Sequence, residues 1–148
     1  MKIRNATIDD AIEIFKIEKR VFKNHWSFKS IKQEFNESLY SHISVLETDG
    51  KIIGYIFQRV MPNQSHIINM AIDIPFQHKG YGKFLLKNAL EKYSKDTNVF
   101  LEVKEANFPA IKLYTDLGFE QIHKKDRYYS DGSNAIFMLK KNKKNGLV

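Results

Sequence analysis

The sequence predicts a single mixed α/β domain in which helices flank a mostly antiparallel sheet with one parallel step. Apolar segments with a two-residue alternation lie on both sides of turn signals at 48–50 and 130–132, a pattern typical of antiparallel hairpins. Between the hairpins, an apolar segment, a glycine-containing loop and an amphipathic segment lead into another apolar strand at 99–103. A strand–helix–strand unit of this kind pairs its two strands in parallel.

The N-terminal half is predicted to contain a strand, two helices and the first hairpin. Residues 2–5 form the strand, and Thr7 with Asp10 three residues later resembles a capping box at a helix start. The first hairpin pairs strands at 41–47 and 52–60. The apolar residues at helical spacing are Ala11, Ile14, Ile17 and Val21 in the first helix, and Phe28, Ile31 and Phe35 in the second.

The C-terminal half alternates strands with helices. The polar residues of 62–65 include a proline and interrupt the chain before the next strand. The predicted elements are a strand at 66–72, a helix marked by Leu86, Ala89, Leu90 and Tyr93, a strand at 99–103, a helix from Pro109 to Gly118, and strands at 119–125 and 135–140.

Composition limits the functions open to the chain. Its 148 residues suit one domain with a sizeable core, which we place at 1–140, followed by a basic tail at 141–148. The absence of cysteine excludes disulfides, thiolate metal sites and a cysteine nucleophile. The five histidines show no metal-ligand spacing, so no metal is expected. No apolar run is long enough to span a membrane and no signal segment follows Met1, so we expect a cytoplasmic protein without membrane contact.

The chain is basic, with a formal net charge of +7 and a pI of about 9.5. A basic surface attracts nucleic acids, phosphorylated cofactors or acidic partners. Because no nucleic-acid-binding motif accompanies the charge, direct nucleic-acid binding is not expected. We interpret the tail as a solvated end, with an RNA-contacting arm as the alternative.

The loop Gln77-x-x-Gly80-x-Gly82 lies between an apolar strand and an amphipathic helix. The first backbone N–H groups of a helix have no internal partner and the helix dipole favours negative charge there, so this loop predicts a phosphate cradle. Glycine lets the backbone approach a phosphate closely. The spacing differs from that of the P-loop and of the dinucleotide fingerprint, which disfavours triphosphate and hydride-transfer chemistry. The alternative is a tight strand-to-helix turn.

Glu102 lies in the middle of an apolar strand, where a carboxylate needs a partner to offset its desolvation. One interpretation is a cross-strand pair with a lysine. The other is a general base, since burial moves the pKa of a carboxyl toward neutral pH.

Two residues near the last helix have alternative roles as well. Asn107 can cap the helix that Pro109 begins, and Tyr114 has the spacing of a core residue, although its hydroxyl can also donate a proton. His78 lies in the glycine loop and is a candidate for phosphate contact. The aromatic residues and histidines left open or interpreted as structural are Trp26, Tyr128 and Tyr129, and His25, His42, His66 and His123.

These motifs, in this order, resemble the GCN5-related N-acetyltransferase (GNAT) superfamily over essentially the whole chain. Within it, the chain is similar to the bacterial ribosomal-protein-alanine N-acetyltransferases (RimI type). His25, where that group commonly has Pro, and Lys104, where it usually has Arg, depart from the pattern. The residues that carry the resemblance are Gln77, Gly80 and Gly82, the block Leu101, Glu102, Val103 and Asn107, the block Ala110, Ile111, Tyr114, Leu117, Gly118 and Phe119, the pair Trp26 and Ser27, and the hairpin residues Tyr128, Tyr129, Asp131 and Gly132.

The resemblance implies that acetyl-CoA, as the acetyl donor, lies between two splayed parallel strands. It implies that Glu102 is the general base and Tyr114 the general acid, in a direct transfer within a ternary complex. Backbone groups of 70–72 would pair with the pantetheine arm, and amides of 78–83 would hold the pyrophosphate. The residues implied to bind the cofactor are Met70, Ala71, Ile72, Gln77, His78, Lys79, Gly80, Tyr81, Gly82, Lys83 and Asn107.

The expected function is therefore acetyl transfer to an amine, with the N-terminal alanine of a small-subunit ribosomal protein as the first acceptor. Transfer to a small amine, such as an amino acid or a polyamine, is the alternative enzyme activity. A non-catalytic acyl-CoA-binding module is the alternative outside catalysis.

Overall fold

The computed structural model describes residues 1–37 and 39–142, and these residues form seven strands and four α-helices. Short 3-10 turns precede the first and third helices, at Ile8–Asp10 and Ile74–Phe76. The strands are β1 (Lys2–Asn5), β2 (Ser41–Thr48), β3 (Lys51–Val60), β4 (Gln64–Ile72), β5 (Asn98–Lys104), β6 (Glu120–Lys125) and β7 (Ala135–Lys140), and the helices are α1 (Ala11–Val21), α2 (Phe28–Glu37), α3 (Tyr81–Tyr93) and α4 (Phe108–Asp116).

The strands form one mixed sheet in the order β1-β2-β3-β4-β5-β7-β6. Every neighbouring pair is antiparallel except β4 and β5, which are parallel and are joined through α3. This confirms the predicted fold class. Of the predicted basic tail, residues 143–148 lie outside the described part of the chain.

The helices cover the sheet on both faces, and each face has its own apolar core. On one face α3 and α4 pack against alternate residues of the central strands, including Ile67, Leu101 and Val103. On the other face α1 and α2 pack against the residues between them, including Val45, Tyr55 and Phe57. The two-residue alternation of β5 therefore places Phe100 and Glu102 on the α1/α2 face.

The central strands β4 and β5 pair over only part of their length. Their register runs from Gln64 opposite Asn98 to Ile67 opposite Leu101, and beyond that point they separate. On the other side of β4, Phe57 pairs with Asn69 and Gln58 with Ile67, so Ile68 is the extra residue of a β-bulge. The bulge coincides with the start of the separation, and together they open a gap in the middle of the sheet.

Several predicted boundaries differ from the structure by one or two residues, and hydrogen bonds explain two of these differences. The break at 62–65 is shorter than expected, because Met61 N–H donates to the carbonyl of Gln64 (2.9 Å) and Gln64 already belongs to β4. The capping residues Thr7 and Asp10 lie on the 3-10 turn before α1, where the Asp10 carboxylate accepts from the Thr7 N–H (2.8 Å). Among the described residues, no helix has both the length and the apolar character needed to cross a membrane.

Candidate active site

The gap between β4 and β5 holds a paired imidazole and carboxylate. Glu102 is the first residue of β5 beyond the paired stretch, and His66 lies on β4 opposite Phe100. His66 Nε2 is 2.5 Å from Glu102 Oε2, and the two side chains are 32% and 25% exposed. An ionised carboxylate only accepts hydrogen bonds, so Nε2 carries the proton while Glu102 is charged. Glu102 therefore has a histidine partner rather than the lysine considered from the sequence.

The role of His66 is missed by reasoning from the sequence, which interprets this histidine as structural. Alternation along β4 places His66 on the same face as Glu102, but only the parallel register shows that the two residues meet. They line a cleft of about 250 Å³ whose other walls are largely apolar. Its remaining lining residues are Met61, Gln64, Phe100, Leu101, Phe137 and Met138.

Tyr114 lies on the other face of the sheet. It belongs to α4, packs against the core between α3 and the central strands, and contacts the Phe119 ring edge-on with centroids 5.9 Å apart. Its hydroxyl has no hydrogen-bond partner among the described residues. Burial raises the pKa of Tyr114 to about 12, so this phenol remains a proton donor at neutral pH. Glu102 and Tyr114 thus approach the gap from opposite faces.

The glycine loop ends in a row of unpaired amides. Among the described residues, none of the backbone N–H groups from His78 to Lys83 has a hydrogen-bond partner, and the first bond of α3 runs from Phe84 N to Gly80 O (3.1 Å). His78 (φ 62°) and Gly80 (φ 87°) adopt left-handed conformations that curl the loop around these amides. Unpaired amides at a helix start are suited to an anion, and phosphate binding by this loop stays a prediction.

The loop is anchored to the end of β4. Gln77, predicted to bind cofactor, uses its side-chain amide to donate to the carbonyl of Ile72 (2.9 Å). Asp73 accepts from the Ile74 N–H (3.0 Å) and forms a two-pronged ion pair with Arg20 of α1 (3.0 and 2.9 Å). The hydrogen bond from Arg20 lowers the pKa of Asp73, which keeps it charged. The amides are therefore held at a fixed position relative to the gap.

Gly82 leaves space between the loop and the gap. A Cβ atom at this position would lie 3.5 Å from Leu113 Cδ2, 3.8 Å from Ile72 Cγ1 and 4.0 Å from Met70 Cε. It would therefore occupy space bordered by β4 and α4 without displacing either. The predicted residues Met70, Ala71 and Ile72 form the part of β4 that has separated from β5, so on that side no strand of the described residues pairs with their backbone.

The other residues predicted to bind the cofactor make contacts within the protein or are exposed. The side-chain oxygen of Asn107 accepts a hydrogen bond from the Ala110 N–H (3.3 Å) and so caps α4. This is the capping role that the sequence predicts as one of two possibilities. Tyr81 packs partly against the core of the α3 face. Lys79 Nζ lies 5.9 Å from the centre of the Phe76 ring, and Lys83 is exposed on α3.

On the α1/α2 face, two connecting segments flank the approach to Glu102. Asp131, in the β6–β7 connection, accepts from Asn24 Nδ2 (3.1 Å) and from Lys104 Nζ (2.8 Å). The neighbouring Tyr129 is half-buried, and burial together with the charge of Glu102 raises its pKa to about 12. Its ring centre lies 5.5 Å from Lys104 Nζ at the end of β5, and its role as a substrate wall stays a prediction.

A buried carboxylate holds the α1–α2 connection in place. Glu18 is 1% exposed and accepts hydrogen bonds from the Trp26 N–H (2.8 Å), from Asn69 Nδ2 (2.7 Å) and from the Tyr55 hydroxyl. It therefore ties Trp26 to the bulged part of β4. The Trp26 ring contacts the Phe57 ring, with 5.6 Å between centroids, and Trp26 also lines a surface pocket. It therefore lies at the edge of the core, between the core and the surface.

No group of three or more His, Asp or Glu side chains within residues 1–37 and 39–142 is arranged to hold a metal ion.

Comparison with known proteins gives consistent matches along the chain. The profile of the acetyltransferase (GNAT) family matches residues 8–119. The chain is 30% identical to an N-alpha-acetyltransferase of Sulfolobus acidocaldarius, over 93% of this chain and 90% of that protein. It is also 30% identical to the putative [ribosomal protein bS18]-alanine N-acetyltransferase of Bacillus subtilis, over 92% of each. The crystal structure of the ribosomal-protein-S18-alanine N-acetyltransferase from Escherichia coli matches with a TM-score of 0.86 and 26% identity, over 93% of this chain and 91% of that one.

Proposed function

Since this chain belongs to the acetyltransferase (GNAT) family, we propose that it acetylates the α-amine at the N-terminus of a protein, using acetyl-CoA as donor. Its family and its class of activity, N-acetyl transfer, follow from the family match and from relatives at 30% identity. The acceptor and the roles of individual residues are the content of the proposal. The single observation that carries it is the His66–Glu102 pair at the gap between β4 and β5.

An amine attacks a thioester only in its neutral form. The pKa of a peptide α-amine is about 8 and that of a lysine side chain about 10.4, so near neutral pH an α-amine needs less help to lose its proton. We assign Glu102 as the general base that takes this proton, directly or through one water molecule. Its partly exposed position in the cleft leaves one side of the carboxylate accessible to an acceptor.

His66 acts in this proposal as a positioning residue. Its bond to Glu102 Oε2 fixes the carboxylate at the point where the strands separate, and leaves Glu102 Oε1 for the incoming amine. Its Nε2–H stays bonded to Oε2 throughout the cycle, because that nitrogen already carries a proton and takes none from Glu102. The protonated Glu102 is partly exposed and gives its proton directly to solvent, which restores the carboxylate for the next cycle.

Tyr114 completes the proton transfers from the opposite face. As the amine nitrogen bonds to the acetyl carbon and the carbon–sulfur bond breaks, the Tyr114 hydroxyl gives its proton to the departing sulfur. The deprotonated phenol then recovers a proton from water. Its free hydroxyl supports this assignment, and the raised pKa means only that the phenol is still protonated when sulfur leaves.

Acetyl-CoA supplies the activated acetyl group, and the residues around the gap fit it. The unpaired amides of His78 to Lys83 are suited to the pyrophosphate, and the space beside Gly82 leads from those amides to the separated strands. The backbone of Met70 to Ile72 can hydrogen-bond an extended chain where β5 has moved away. Asn107 would contact the cofactor through its amide nitrogen, since its oxygen caps α4.

We place an N-terminal alanine of a small-subunit ribosomal protein first among acceptors. Its support is the likeness to two enzymes named for that reaction and to an N-alpha-acetyltransferase. The cleft of about 250 Å³ beside Glu102 has room for a small first side chain. The alternative acceptors are small amines, and the alternative outside catalysis is an acyl-CoA-binding module without turnover.

A paired assay tests the proposal. The purified protein is incubated with acetyl-CoA and one of three acceptors: a peptide beginning with alanine, the same peptide with a blocked α-amine and an internal lysine, or a polyamine. Thiol release and product mass are measured for each. We expect acetylation of the free α-amine only, and its loss in Glu102→Gln. Turnover confined to the polyamine would replace the proposed acceptor, and the absence of thiol release with every acceptor would contradict the enzyme itself.

A further inference from the structure

The structure contains a second and larger cavity, of about 630 Å³, on the α1/α2 face. It lies between the α1–α2 connection, α2 and the end of β3, and it is distinct from the cleft that holds Glu102. No step of the proposed reaction uses it. Its lining residues are His25, Trp26, Ser27, Ser30, Gln33, Glu34 and Arg59.

The cavity lies one strand away from the His66–Glu102 pair. Arg59 on β3 is directly opposite His66 on β4, so both side chains leave the same face of the sheet. Two strand spacings of about 4.8 Å, together with the two residues from Phe100 to Glu102, put Arg59 about 12 Å from Glu102. An extended peptide advances about 3.3 Å per residue, so a chain whose first residue meets Glu102 comes within side-chain reach of Arg59 with its third or fourth residue.

The cavity presents hydrogen-bond donors and no free carboxylate. Arg59 donates from Nε (3.0 Å) and Nη2 (2.7 Å) to Glu34, which is only 8% exposed and also accepts from the Ser41 hydroxyl. Burial opposes ionisation of Glu34, but the hydrogen bonds from Arg59 and Ser41 lower its pKa below the ordinary value. Both oxygens of the Glu34 carboxylate therefore already accept hydrogen bonds from the protein.

Several donors of this cavity are unused. Among the described residues, Arg59 Nη1, the Trp26 indole N–H and the Gln33 amide have no hydrogen-bond partner. Arginine and tryptophan side chains donate and never accept. The Arg59 side chain lines the cavity, is 43% exposed and is held by Glu34, so its free edge is available to a ligand there.

The mouth of the cavity is held in place before any ligand binds. Trp26 N–H donates to buried Glu18, and His25 Nδ1–H donates to the Trp26 carbonyl (2.8 Å). Ser27 and Ser30 hydrogen-bond each other (3.0 Å). A rigid wall lowers the ordering cost of binding.

We propose that this cavity is an acceptor subsite that binds a carboxylate side chain, aspartate or glutamate, at the third or fourth residue of the acceptor. This inference rests on the proposed function, because it takes the acceptor amine to lie at Glu102. A carboxylate pairs with the free edge of Arg59 and with the Trp26 indole N–H, both of which are donors. The acceptor would thus be an acidic N-terminal segment rather than a single small amine.

The test compares peptides that begin with alanine and carry glutamate, glutamine or lysine at the third or fourth position. Binding is measured by the fluorescence of Trp26, the only tryptophan of the chain, and turnover by thiol release. A charge-assisted hydrogen bond at a partly exposed guanidinium predicts about tenfold tighter binding of glutamate than of glutamine, and weaker binding of lysine.

The decisive variant is Glu34→Gln with Arg59→Gln, which removes both charges and leaves no buried carboxylate unpaired. A matched control is Glu13→Gln with Lys16→Gln, which removes an exposed ion pair (3.1 Å) on α1. We expect the glutamate preference to disappear in the first variant and to persist in the second. Equal binding of the glutamate and glutamine peptides by the unaltered protein, or a preference that survives in the first variant, would overturn the subsite.

The two readouts separate this inference from the proposed function. Fluorescence reports occupancy of the cavity whether or not acetyl transfer occurs. A glutamate preference in binding without thiol release would contradict the enzyme activity and support the subsite. Acetylation of all three peptides at equal rates and affinities would support the enzyme activity and overturn the subsite.

Discussion

Substitution of Gly82 by alanine separates the stability of the fold from the binding of acetyl-CoA. Apart from its chain neighbours and the backbone of α3, the nearest atom to the added methyl group is Leu113 Cδ2 at 3.5 Å, which is ordinary van der Waals distance. Alanine in a helix is more favourable than glycine by about 0.5–1 kcal/mol. We therefore expect the free energy of unfolding of Gly82→Ala to rise by up to about 1 kcal/mol, which for a chain of this length raises Tm by about 2–4 °C.

The same methyl group occupies the space through which the cofactor must pass from the loop amides to the gap. If it displaces the pyrophosphate from two backbone amides, the loss is about 3 kcal/mol, because each hydrogen bond to a charged group contributes about 1.5 kcal/mol or more. That corresponds to a rise of about 100-fold in the Kd for acetyl-CoA. Stability and cofactor affinity should thus change in opposite directions.

Thermal unfolding without ligand and calorimetric titration with acetyl-CoA measure the two effects. Gly80→Ala is the matched control, because Gly80 has φ 87° and no neighbour within 4 Å, so an added Cβ costs about 1 kcal/mol of backbone strain without a clash. Gly80→Ala should lower Tm where Gly82→Ala raises it. Unchanged acetyl-CoA affinity in Gly82→Ala would refute the assignment of the loop as the phosphate cradle, and a fall in its Tm would refute the packing argument.

Three further predictions concern the strand, the acid and the buried carboxylate. Gly54→Ala should lower the free energy of unfolding by about 1–3 kcal/mol in urea titrations, because its Cβ would lie 2.6 Å from Ile72 Cδ1 and 3.1 Å from the Ala71 carbonyl; an unchanged urea midpoint would contradict this. Because the pKa of Tyr114 is raised to about 12, its phenol stays protonated at lower pH, and kcat should show no decline from its ionisation between pH 8 and 10; a decline there that disappears in Tyr114→Phe would oppose the assigned acid. Glu18→Gln leaves at least one buried donor unpaired and should lower the free energy of unfolding by about 1–3 kcal/mol. It should also raise the KM for peptides more than the KM for acetyl-CoA, and equal changes in both KM values would show that Glu18 only supports the fold.

Local patterns were sufficient to predict most of the fold. The capping pair before α1, the glycines of the loop and the proline that begins α4 are short-range signals, and the structure has elements at these places. The crossover through α3 was enough to predict that β4 and β5 are parallel. These features depend on residues close together in the sequence.

The pairs that join distant residues could not be predicted in the same way. His66 and Glu102 meet because β4 and β5 have one particular offset, and alternation along each strand leaves that offset open. Arg59 and Glu34 meet only after α2 has packed against the end of β3. Glu18 looks like one more exposed position on an amphipathic helix, and its burial follows from the positions of Trp26, Tyr55 and Asn69.

The gap between β4 and β5 has a kinetic consequence. The sheet is open at its centre, and Glu102 and Tyr114 lie on its two faces. With the donor and the acceptor bound as proposed, each would enter from its own face and neither would have to pass the other. We therefore expect either substrate to bind first, and an excess of one to leave the entrance of the other open.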